Sequence, residues 1–157
     1  MTTFTVYESV VGPLLLTTDG TGLTGLHFEP HDIDDDWEND RASFADVIRQ
    51  LDEYFAGTRR DFDIPLHPTG TPFQLKVWEQ LRAIPYGETI SYGALARRVA
   101  NPNASRAVGL ANGRNPIAII VPCHRVIGAD GSLTGYGGGI GRKRFLLGLE
   151  TGAGRLL

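Results

Sequence analysis

Short apolar runs divided by turn residues fill the first thirty positions of the chain. The runs are Phe4 to Tyr7, Leu14 to Leu16 and Leu23 to Phe28, and they are separated by Gly12-Pro13 and by residues 19–22 (Asp-Gly-Thr-Gly). Apolar runs of this length bounded by Gly, Pro and Asp are typical of β-strands joined by tight turns. The pattern predicts a small antiparallel sheet.

The apolar period then changes from that of strands to that of a helix. Residues 30–40 form an acidic stretch predicted to be a loop. Helical spacing follows at five apolar positions, with Gly57 placed to end the helix: Phe44, Val47, Ile48, Leu51 and Phe55. We expect this helix to cover one face of the sheet. Residues 61–70, with two prolines and a glycine, have the composition of a linker.

A clear helix start follows the predicted linker. Thr71 is placed as N-cap, Pro72 as first helical residue, and Gln74 completes a capping box. The apolar positions predicted to face the core are Phe73, Val77, Leu81 and Ile84. Pro85 is expected to end this helix.

Two further short helices are predicted next. Ser91 caps the first, whose apolar face holds Tyr92, Leu95, Ala96 and Val99. After a turn at Asn101-Pro102-Asn103, the second runs from Ala104 to Asn112, with Gly113 placed to terminate it. Two short helices with a tight turn suggest a helix-turn-helix. Two helices that simply pack on one another give the same pattern, and only Arg106 and Arg114 favour DNA binding.

The last part of the chain is predicted to hold a strand, a loop and a helix. The apolar run Ile117 to Val121 is typical of a buried strand, and the seven glycines between Gly128 and Gly141 indicate a loop. Arg142 to Leu149 is predicted to be a helix packed through Phe145, Leu146 and Leu149. We therefore expect an α/β protein, with a sheet-plus-helix domain over residues 1–66 and a mostly helical domain over residues 71–157.

Composition narrows the class of protein. Of 157 residues, 41% are hydrophobic and 21% charged, which is typical of globular proteins and excludes disorder over most of the chain. The first twenty residues lack a basic n-region, and the apolar runs are too short to cross a membrane. We expect a cytoplasmic protein with no membrane partner. Cys123 is the only cysteine, so an intrachain disulfide and a cysteine-based metal cluster are excluded, and no metal site is predicted.

The net charge of −3 hides two regions of opposite sign. Residues 29–63 hold twelve acidic residues and four arginines, for a net charge of −8. Residues 88–144 hold eight basic and two acidic residues, for +6. A basic half suggests a polyanionic partner, whereas solubility alone would explain the same charges.

Cys123 is either a buried structural residue or a nucleophile. A catalytic thiol needs a base, a group that orients the base and a positive local field. His124 is adjacent, but neighbours in an extended strand point to opposite sides, so a bridging water or a turn after Pro122 would be needed. Glu150 is the nearest downstream carboxylate apart from Asp130. A thiol hydrolase using Cys123 and His124 remains one reading, and a helix-turn-helix regulator is another.

Residues 115–126, Asn-Pro-Ile-Ala-Ile-Ile-Val-Pro-Cys-His-Arg-Val, closely resemble the active-site signature of the O6-alkylguanine-DNA alkyltransferases. The resemblance is dense from Thr71 to Glu150 and loose over residues 1–66. Further segments match in order and approximate spacing: Phe73 to Leu81, Pro85 to Thr89, Ser91-Tyr92, Ala104 to Gly109, Gly135 to Gly139 and Leu146 to Glu150.

This resemblance implies a reaction and the residues that carry it. A thiolate takes the alkyl group from the O6 position of guanine in DNA, with O4 of thymine as a further substrate left open, and the protein stays alkylated. Cys123 would be the acceptor, His124 a water-mediated base and Glu150 the group that orients His124. Asn115 would be a hinge between the helix-turn-helix and the active-site segment. No cofactor is implied, and the N-terminal domain would be ribonuclease H-like. We expect the pKa of Cys123 to lie below its ordinary value.

The resemblance also implies how DNA binds. The target nucleotide would be flipped out of the duplex, Tyr92 would rotate its phosphate, and Arg106 would fill the vacated stack. The second helix would lie in the minor groove, with contacts from Arg106, Ala107, Gly109 and Arg114. The base pocket would be lined by Tyr92, Val126, Tyr136 and Gly137. Gly137 replaces a serine of some members, so alkyl-size preference stays open. We expect a monomer in solution, with cooperativity on DNA open, and nucleoid association in a bacterium.

Overall fold

The computed structural model describes residues 2–99, 103–133 and 135–152. Its contacts divide the chain into two compact units. The first comprises Met1–Thr69 with Pro116–Ala118, and the second comprises Gly70–Asn115 with Ile119–Leu157. The predicted turn at Asn101-Pro102 and the end of the predicted second domain after residue 152 lie outside the described residues. The domain boundaries at 66 and 71 stay a prediction.

A four-stranded sheet forms the first unit, in the order β3-β2-β1-β4. The strands are β1 (Thr3–Ser9), β2 (Gly12–Thr18), β3 (Leu23–Phe28) and β4 (Glu38–Asn39). The three predicted strands are confirmed and pair antiparallel, with Thr5 opposite Leu16 and Leu16 opposite Leu26. The short β4 was not predicted: it lies in the acidic stretch and pairs parallel to β1.

Helix α1 (Ala45–Phe55) follows a 3₁₀ helix at Arg41–Phe44, and both lie where the apolar period predicts a helix. Its buried residues include Val47, Leu51 and Tyr54. The Tyr7 hydroxyl of β1 donates to the Asp52 carboxylate at 2.5 Å, which joins the helix to the sheet. Gly57, two residues past the helix, has φ +79°, a conformation that glycine adopts at little cost.

Residues 61–70 are not a free linker, contrary to the composition. Leu23 N donates to Pro65 O at 2.8 Å, and His67 N donates to Leu23 O at 2.8 Å. The Gln50 side chain of α1 exchanges two hydrogen bonds with the backbone of Asp63, at 2.8 and 3.0 Å. Pro65 and Pro68 have no backbone N–H, and neither hydrogen bond with Leu23 requires a donor at these two positions. The two bonds place the segment along the edge of β3.

The predicted strand at residues 117–121 is wrong. Ile117 forms an isolated bridge with Leu26, and the chain then turns over residues 118–120. Ile119 has φ +72°, which an extended strand does not allow. The run is buried as predicted, but it forms a turn and not a strand. Hydrophobicity alone does not distinguish a buried strand from a buried turn.

Helix α2 (Pro72–Arg82) begins the second unit with the predicted capping box. Thr71 Oγ1 accepts from Gln74 N at 3.1 Å, and Gln74 Oε1 accepts from Thr71 N at 3.0 Å. Phe73, predicted to face the core, is 37% exposed, and Trp78 is buried instead. The buried stripe of α2 is therefore Val77, Trp78 and Leu81, followed by Ile84 beyond its end.

Helices α3 (Tyr92–Arg98) and α4 (Ser105–Gly113) match the two predicted short helices and pack on each other and on α2. Ser91 caps α3 as predicted, since its Oγ accepts from Ala94 N at 3.0 Å. The helix ends at Gly113, the residue predicted to terminate it, and Arg114 follows with φ −100°. The helix-turn-helix itself stays a prediction, because its turn lies outside the described residues.

A two-stranded parallel sheet, which the sequence did not predict, joins β5 (Ile90–Ser91) to β6 (Val126–Ile127). Helix α5 (Ile140–Thr151) is longer than predicted. Phe145, predicted to face the core, is 40% exposed, and the buried residues of α5 are Lys143, Leu146 and Glu150. Across the part of the chain that the structure describes, the helices are too short or too polar to span a membrane.

Candidate active site and nucleic-acid interface

Cys123 lies at the start of a 3₁₀ helix, Cys123–Arg125, that follows Pro122. Cys123 N donates to Val121 O at 2.8 Å, and Arg125 N donates to Pro122 O at 3.0 Å. Cys123 is 6% exposed and His124 is 0% exposed. The chain thus turns after Pro122, and both side chains lie in the interior.

His124 is held by Glu150 from α5. His124 Nε2 lies 2.7 Å from Glu150 Oε2. Burial lowers the pKa of His124, and the bond to Glu150 opposes this only in part. A neutral His124 then donates from Nε2 to the carboxylate and keeps its lone pair on Nδ1. Nδ1 has no hydrogen-bond partner among the described residues, so it is the nitrogen left to accept a proton.

Glu150 is also bound by Arg125, a residue to which the sequence assigned no role. Arg125 Nε donates to Oε1 at 2.8 Å, and its terminal nitrogen NH2 donates to Oε2 at 3.0 Å. Burial opposes ionisation of Glu150, yet the hydrogen bonds and charges of His124 and Arg125 lower its pKa to about 2. The carboxylate is therefore ionised at neutral pH.

The expectation of a lowered pKa for Cys123 is wrong in this structure. Burial raises the pKa of the thiol. A hydrogen bond with Asn115 and the charge of Lys143 act in the opposite direction but do not compensate. Withdrawal from water outweighs the neighbouring positive charge, so the resting sulfur is a thiol.

Lys143 is a second buried cation that the sequence did not single out. Its side chain is fully buried, and Nζ donates to Val126 O at 2.6 Å. Nζ also lies 5.9 Å from the centroid of the Tyr92 ring. Burial lowers the pKa of Lys143, and an ionised Cys123 would counter this effect. A lysine seven positions before Glu150 shares its helix face, and this spacing was the available signal.

Two asparagines join the end of α4 to the segment that carries Cys123. Asn115 Nδ2 donates to Val121 O at 2.8 Å, and Asn112 Nδ2 donates to Cys123 O at 3.4 Å. On the other side of α4, Trp78 Nε1 donates to Ala111 O at 2.8 Å. The position of Cys123 is thus tied to α4. Asn115 was selected from the sequence, whereas Asn112 was not.

The predicted pocket residues differ in exposure. Val126 is buried, Tyr92 and Tyr136 are half-buried, and Gly137 is exposed. Burial raises the pKa of Tyr136 well above its ordinary value, and the charge of an ionised Cys123 would raise it further. The structure therefore brings Tyr136 to the sulfur. Tyr92 packs against Gly109 of α4, where an added Cβ would lie 3.9 Å from Cδ1.

The residues predicted to contact DNA lie on the solvent face of α4 and, for Arg114, just beyond its end. Arg106, Ala107 and Arg114 are exposed, and Gly109 is half-buried. Leu110, which the sequence did not select, is 62% exposed on the same helix. Cationic side chains can bind the phosphates of DNA, and small side chains allow the DNA backbone to approach the helix closely.

No group of three or more His, Cys, Asp or Glu side chains that could hold a metal ion occurs in residues 2–99, 103–133 and 135–152. The candidate site consequently offers a thiol, an imidazole, a carboxylate and two buried cations. A thiol with a neighbouring base is suited to nucleophilic displacement, in which the sulfur attacks an uncharged carbon atom.

Comparisons with known proteins agree with this chemistry. Residues 72–152 match the family model "6-O-methylguanine DNA methyltransferase, DNA binding domain", and residues 3–68 match its "ribonuclease-like domain". The methylated-DNA--protein-cysteine methyltransferase of Methanosarcina acetivorans is 52% identical over 151 residues, which cover 94% of this chain and 97% of that protein. The protein of the same name from Mycobacterium bovis is 55% identical over 148 residues, covering 91% of this chain and 88% of that protein.

Solved structures show the same similarity. The crystal structure of Mycobacterium tuberculosis OGT in complex with DNA superposes with a TM-score of 0.91 at 53% identity, covering 96% of this chain and 93% of that one. An O6-methylguanine DNA methyltransferase from Methanococcus jannaschii gives a TM-score of 0.67 at 26% identity, covering 93% of this chain and 92% of that one. The predicted fold class is confirmed, and the chain belongs to the 6-O-methylguanine DNA methyltransferase family.

Proposed function

We infer that this protein repairs DNA by transferring the alkyl group from O6 of guanine to the sulfur of Cys123. The observation that carries this function is the buried Cys123-His124-Glu150 arrangement in a chain of this family. Cys123 is the only cysteine, so the acceptor sulfur is unambiguous. The rival thiol hydrolase would need an exit for acid and alcohol products and would turn over repeatedly.

The arrangement supports a proton route from the thiol to His124. Burial holds Cys123 as a thiol and His124 as a neutral imidazole. We propose that His124 Nδ1 accepts the thiol proton through a water molecule as the sulfur attacks the alkyl carbon. The S–C bond forms while the C–O6 bond breaks, and the proton passes to the departing guanine. Glu150 stabilises the transient imidazolium through its ionised carboxylate.

A thioether product explains why the reaction would occur once per molecule. Carbon–sulfur bonds of thioethers do not hydrolyse under physiological conditions, and the buried Cys123 has no second thiol to accept the group. Incubation with an O6-methylguanine duplex should therefore place one methyl group on the Cys123 peptide and then stop, as measured by mass spectrometry. Cys123→Ala should repair nothing. Continued turnover, or repair by the Cys123→Ala protein, would exclude this function.

The finer mode of DNA binding is also a proposal. The target carbon must reach the sulfur of a buried residue, Cys123, so the nucleotide has to leave the stack. We propose that α4 enters the minor groove, that Arg106 occupies the vacated position, and that Tyr92 guides the phosphate. The exposed Arg106 on a face of small residues supports this placement, and the half-buried Tyr92 lies against the same helix. The protein would act as a monomer in the cytoplasm, and at the nucleoid in a bacterium.

Comparing duplex DNA with a free alkylated base as substrates separates nucleotide flipping from alkyl transfer. Arg106→Ala and Tyr92→Ala should slow repair of duplex DNA far more than reaction with a free O6-alkylguanine base, because only the duplex requires flipping. Arg144→Ala, at an exposed arginine of α5, serves as the control for loss of one positive charge. Equal losses on both substrates would refute the roles of Arg106 and Tyr92. Sedimentation of the protein with and without duplex DNA tests whether the protein is a monomer in solution and on DNA.

A further inference from the structure

We propose that Arg125 is a positioning residue for alkyl transfer: it fixes the ionised Glu150 carboxylate against His124 and sets how readily His124 accepts the thiol proton. This role rests on the proposed function. Arg125 follows His124 in the chain, yet it does not act on the sulfur. It acts through Glu150, which it meets 25 positions further along.

The geometry leaves the Glu150 carboxylate a single orientation. Arg125 Nε and NH2 hold its two oxygens at 2.8 and 3.0 Å, and Oε2 also accepts from His124 Nε2 at 2.7 Å. A planar guanidinium that binds both oxygens fixes the plane of the carboxylate, which a lysine cannot do. Rotation of Glu150 away from His124 would therefore break the contacts with Arg125 as well.

Arg125 is itself anchored from the opposite side. Its other terminal nitrogen, NH1, donates to Ile84 O at 2.7 Å, just beyond the end of α2. The guanidinium carbon lies 5.7 Å from the centroid of the Tyr86 ring. Both anchors belong to the segment after α2, and Glu150 belongs to α5. Arg125 thus holds the Glu150 carboxylate in a fixed position relative to the segment after α2.

Charge balance requires a cation at this position. The Glu150 side chain has no exposed surface, and a neutral imidazole cannot balance its charge. Bulk solvent does not reach this side chain to stabilise an isolated carboxylate, so Glu150 would take up a proton without Arg125. A protonated Glu150 no longer stabilises an imidazolium. Arg125 consequently preserves the anion on which His124 depends.

The same charge keeps His124 neutral in the resting protein. The charged or titratable groups that face His124 are Glu150 and Lys143 from α5 and Arg125 from its own 3₁₀ helix. Glu150 favours the imidazolium, whereas Arg125 and Lys143 disfavour it. The Arg125-Glu150 pair is together neutral, so the imidazole stays unprotonated and is available as a base. Removal of Arg125 should then raise the pH at which the Glu150-His124 pair takes up a proton.

A structural brace between α2 and α5 is the competing explanation, and a double-mutant cycle separates the two. The variants are Arg125→Met, Glu150→Gln and their combination, with Arg144→Met as control. The readout is the rate of Cys123 alkylation by free O6-benzylguanine across pH, which requires no DNA. General-base catalysis contributes about 10²- to 10⁴-fold, so we expect Arg125→Met to lose about tenfold at neutral pH. The combined variant should react within about twofold of Glu150→Gln alone.

The pH profile supplies the second criterion. In Arg125→Met the midpoint of the acid limb should move to higher pH, because the Glu150-His124 pair takes up a proton more readily when the neighbouring positive charge is gone. Arg125→Lys keeps the charge without the two-pronged contact, and it should fall between the parent and Arg125→Met in rate. Arg125→Gln, which also lacks the positive charge, replaces Arg125→Met should that variant not fold.

The outcomes distinguish the two proposals. Multiplying losses in the combined variant, or an acid limb that does not move in the folded Arg125 variant, would make Arg125 a brace only. A parent protein that does not alkylate Cys123 at all would instead overturn the proposed function.

Discussion

His124 Nε2 lies 2.7 Å from Glu150 Oε2, and neither side chain has any exposed surface. The two residues come from different elements, the 3₁₀ helix after Pro122 and α5, so the contact exists only in the folded chain. Each partner is held in the protonation state that the other needs: Glu150 ionised and His124 neutral. Folding stability must therefore depend on pH through this pair.

We predict that acid destabilises the protein in two steps. The pKa of His124 is lower in the folded chain than the ordinary value of about 6.5, so the unfolded chain binds its proton first and stability falls as the pH drops below that value. The pKa of Glu150 is about 2 when folded, so its contribution is present above an unfolded pKa of about 4.3 and is lost as pH falls further. Urea unfolding from pH 7 to pH 3 measures both.

Glu150→Gln is the matched variant for this pH dependence. It keeps the shape of the side chain and removes its titration. The lower of the two steps should become shallower relative to the parent. A parent and a Glu150→Gln protein that lose stability in parallel down to pH 3 would contradict this assignment.

The second prediction concerns the thiol of Cys123. Because burial raises its pKa, the ultraviolet absorbance of the thiolate should appear only above the ordinary range of about 8.5. Alkyl transfer at neutral pH should then depend on His124, and His124→Ala should recover part of its lost rate as the pH rises. Lys143→Met should raise the thiol pKa further, because it removes a positive charge. Titration of Cys123 below the ordinary range in the parent would refute the assignment.

The sequence located the candidate site better than it predicted the electrostatics of that site. Cys123, His124 and Glu150 were proposed from a chemical need for a nucleophile, a base and an orienting acid. The structure places His124 against Glu150, and Cys123 precedes His124 in the same 3₁₀ helix. Arg125 and Lys143 were missed because charged side chains are expected at the surface unless a partner is visible, and their partners lie on other elements. Desolvation of Cys123 depends on tertiary burial, which no local pattern contains.

For the fold, local signals succeeded where the chain itself specifies the conformation. The capping box at Thr71 and the cap at Ser91 are encoded within four residues, and both formed as predicted. The strand predicted for Ile117 to Val121 was wrong, because a buried strand and a buried turn are equally hydrophobic. Strands β4 to β6 are two residues long, too short for an alternating pattern to be recognised.

The third prediction tests the turn at Ile119. A β-branched residue at φ +72° costs roughly 1–2 kcal/mol, which glycine would not incur. Ile120 is a matched neighbour, since it is buried in the same turn and its φ is not positive. Ile119→Gly should therefore destabilise the protein less than Ile120→Gly, by about 1–2 kcal/mol in urea unfolding. Equal losses would show that the backbone at Ile119 is not strained.

The final prediction uses two glycines of the loop before α5. Gly135 and Gly131 have φ of +66° and +85°, so an alanine at either position should cost about 1 kcal/mol of stability. Only their surroundings differ. A Cβ at Gly135 would lie 3.2 Å from the Tyr92 hydroxyl, whereas at Gly131 it would meet no described atom within 4 Å. Gly135→Ala must therefore displace Tyr92 as well as strain the loop. If Tyr92 guides the flipped nucleotide, Gly135→Ala should slow repair of duplex DNA relative to reaction with the free base, and Gly131→Ala should leave that ratio at the parent value. The ratio cancels any general loss of folded protein, so an equal change in both variants would assign the effect to loop strain and remove Tyr92 from the flipping step.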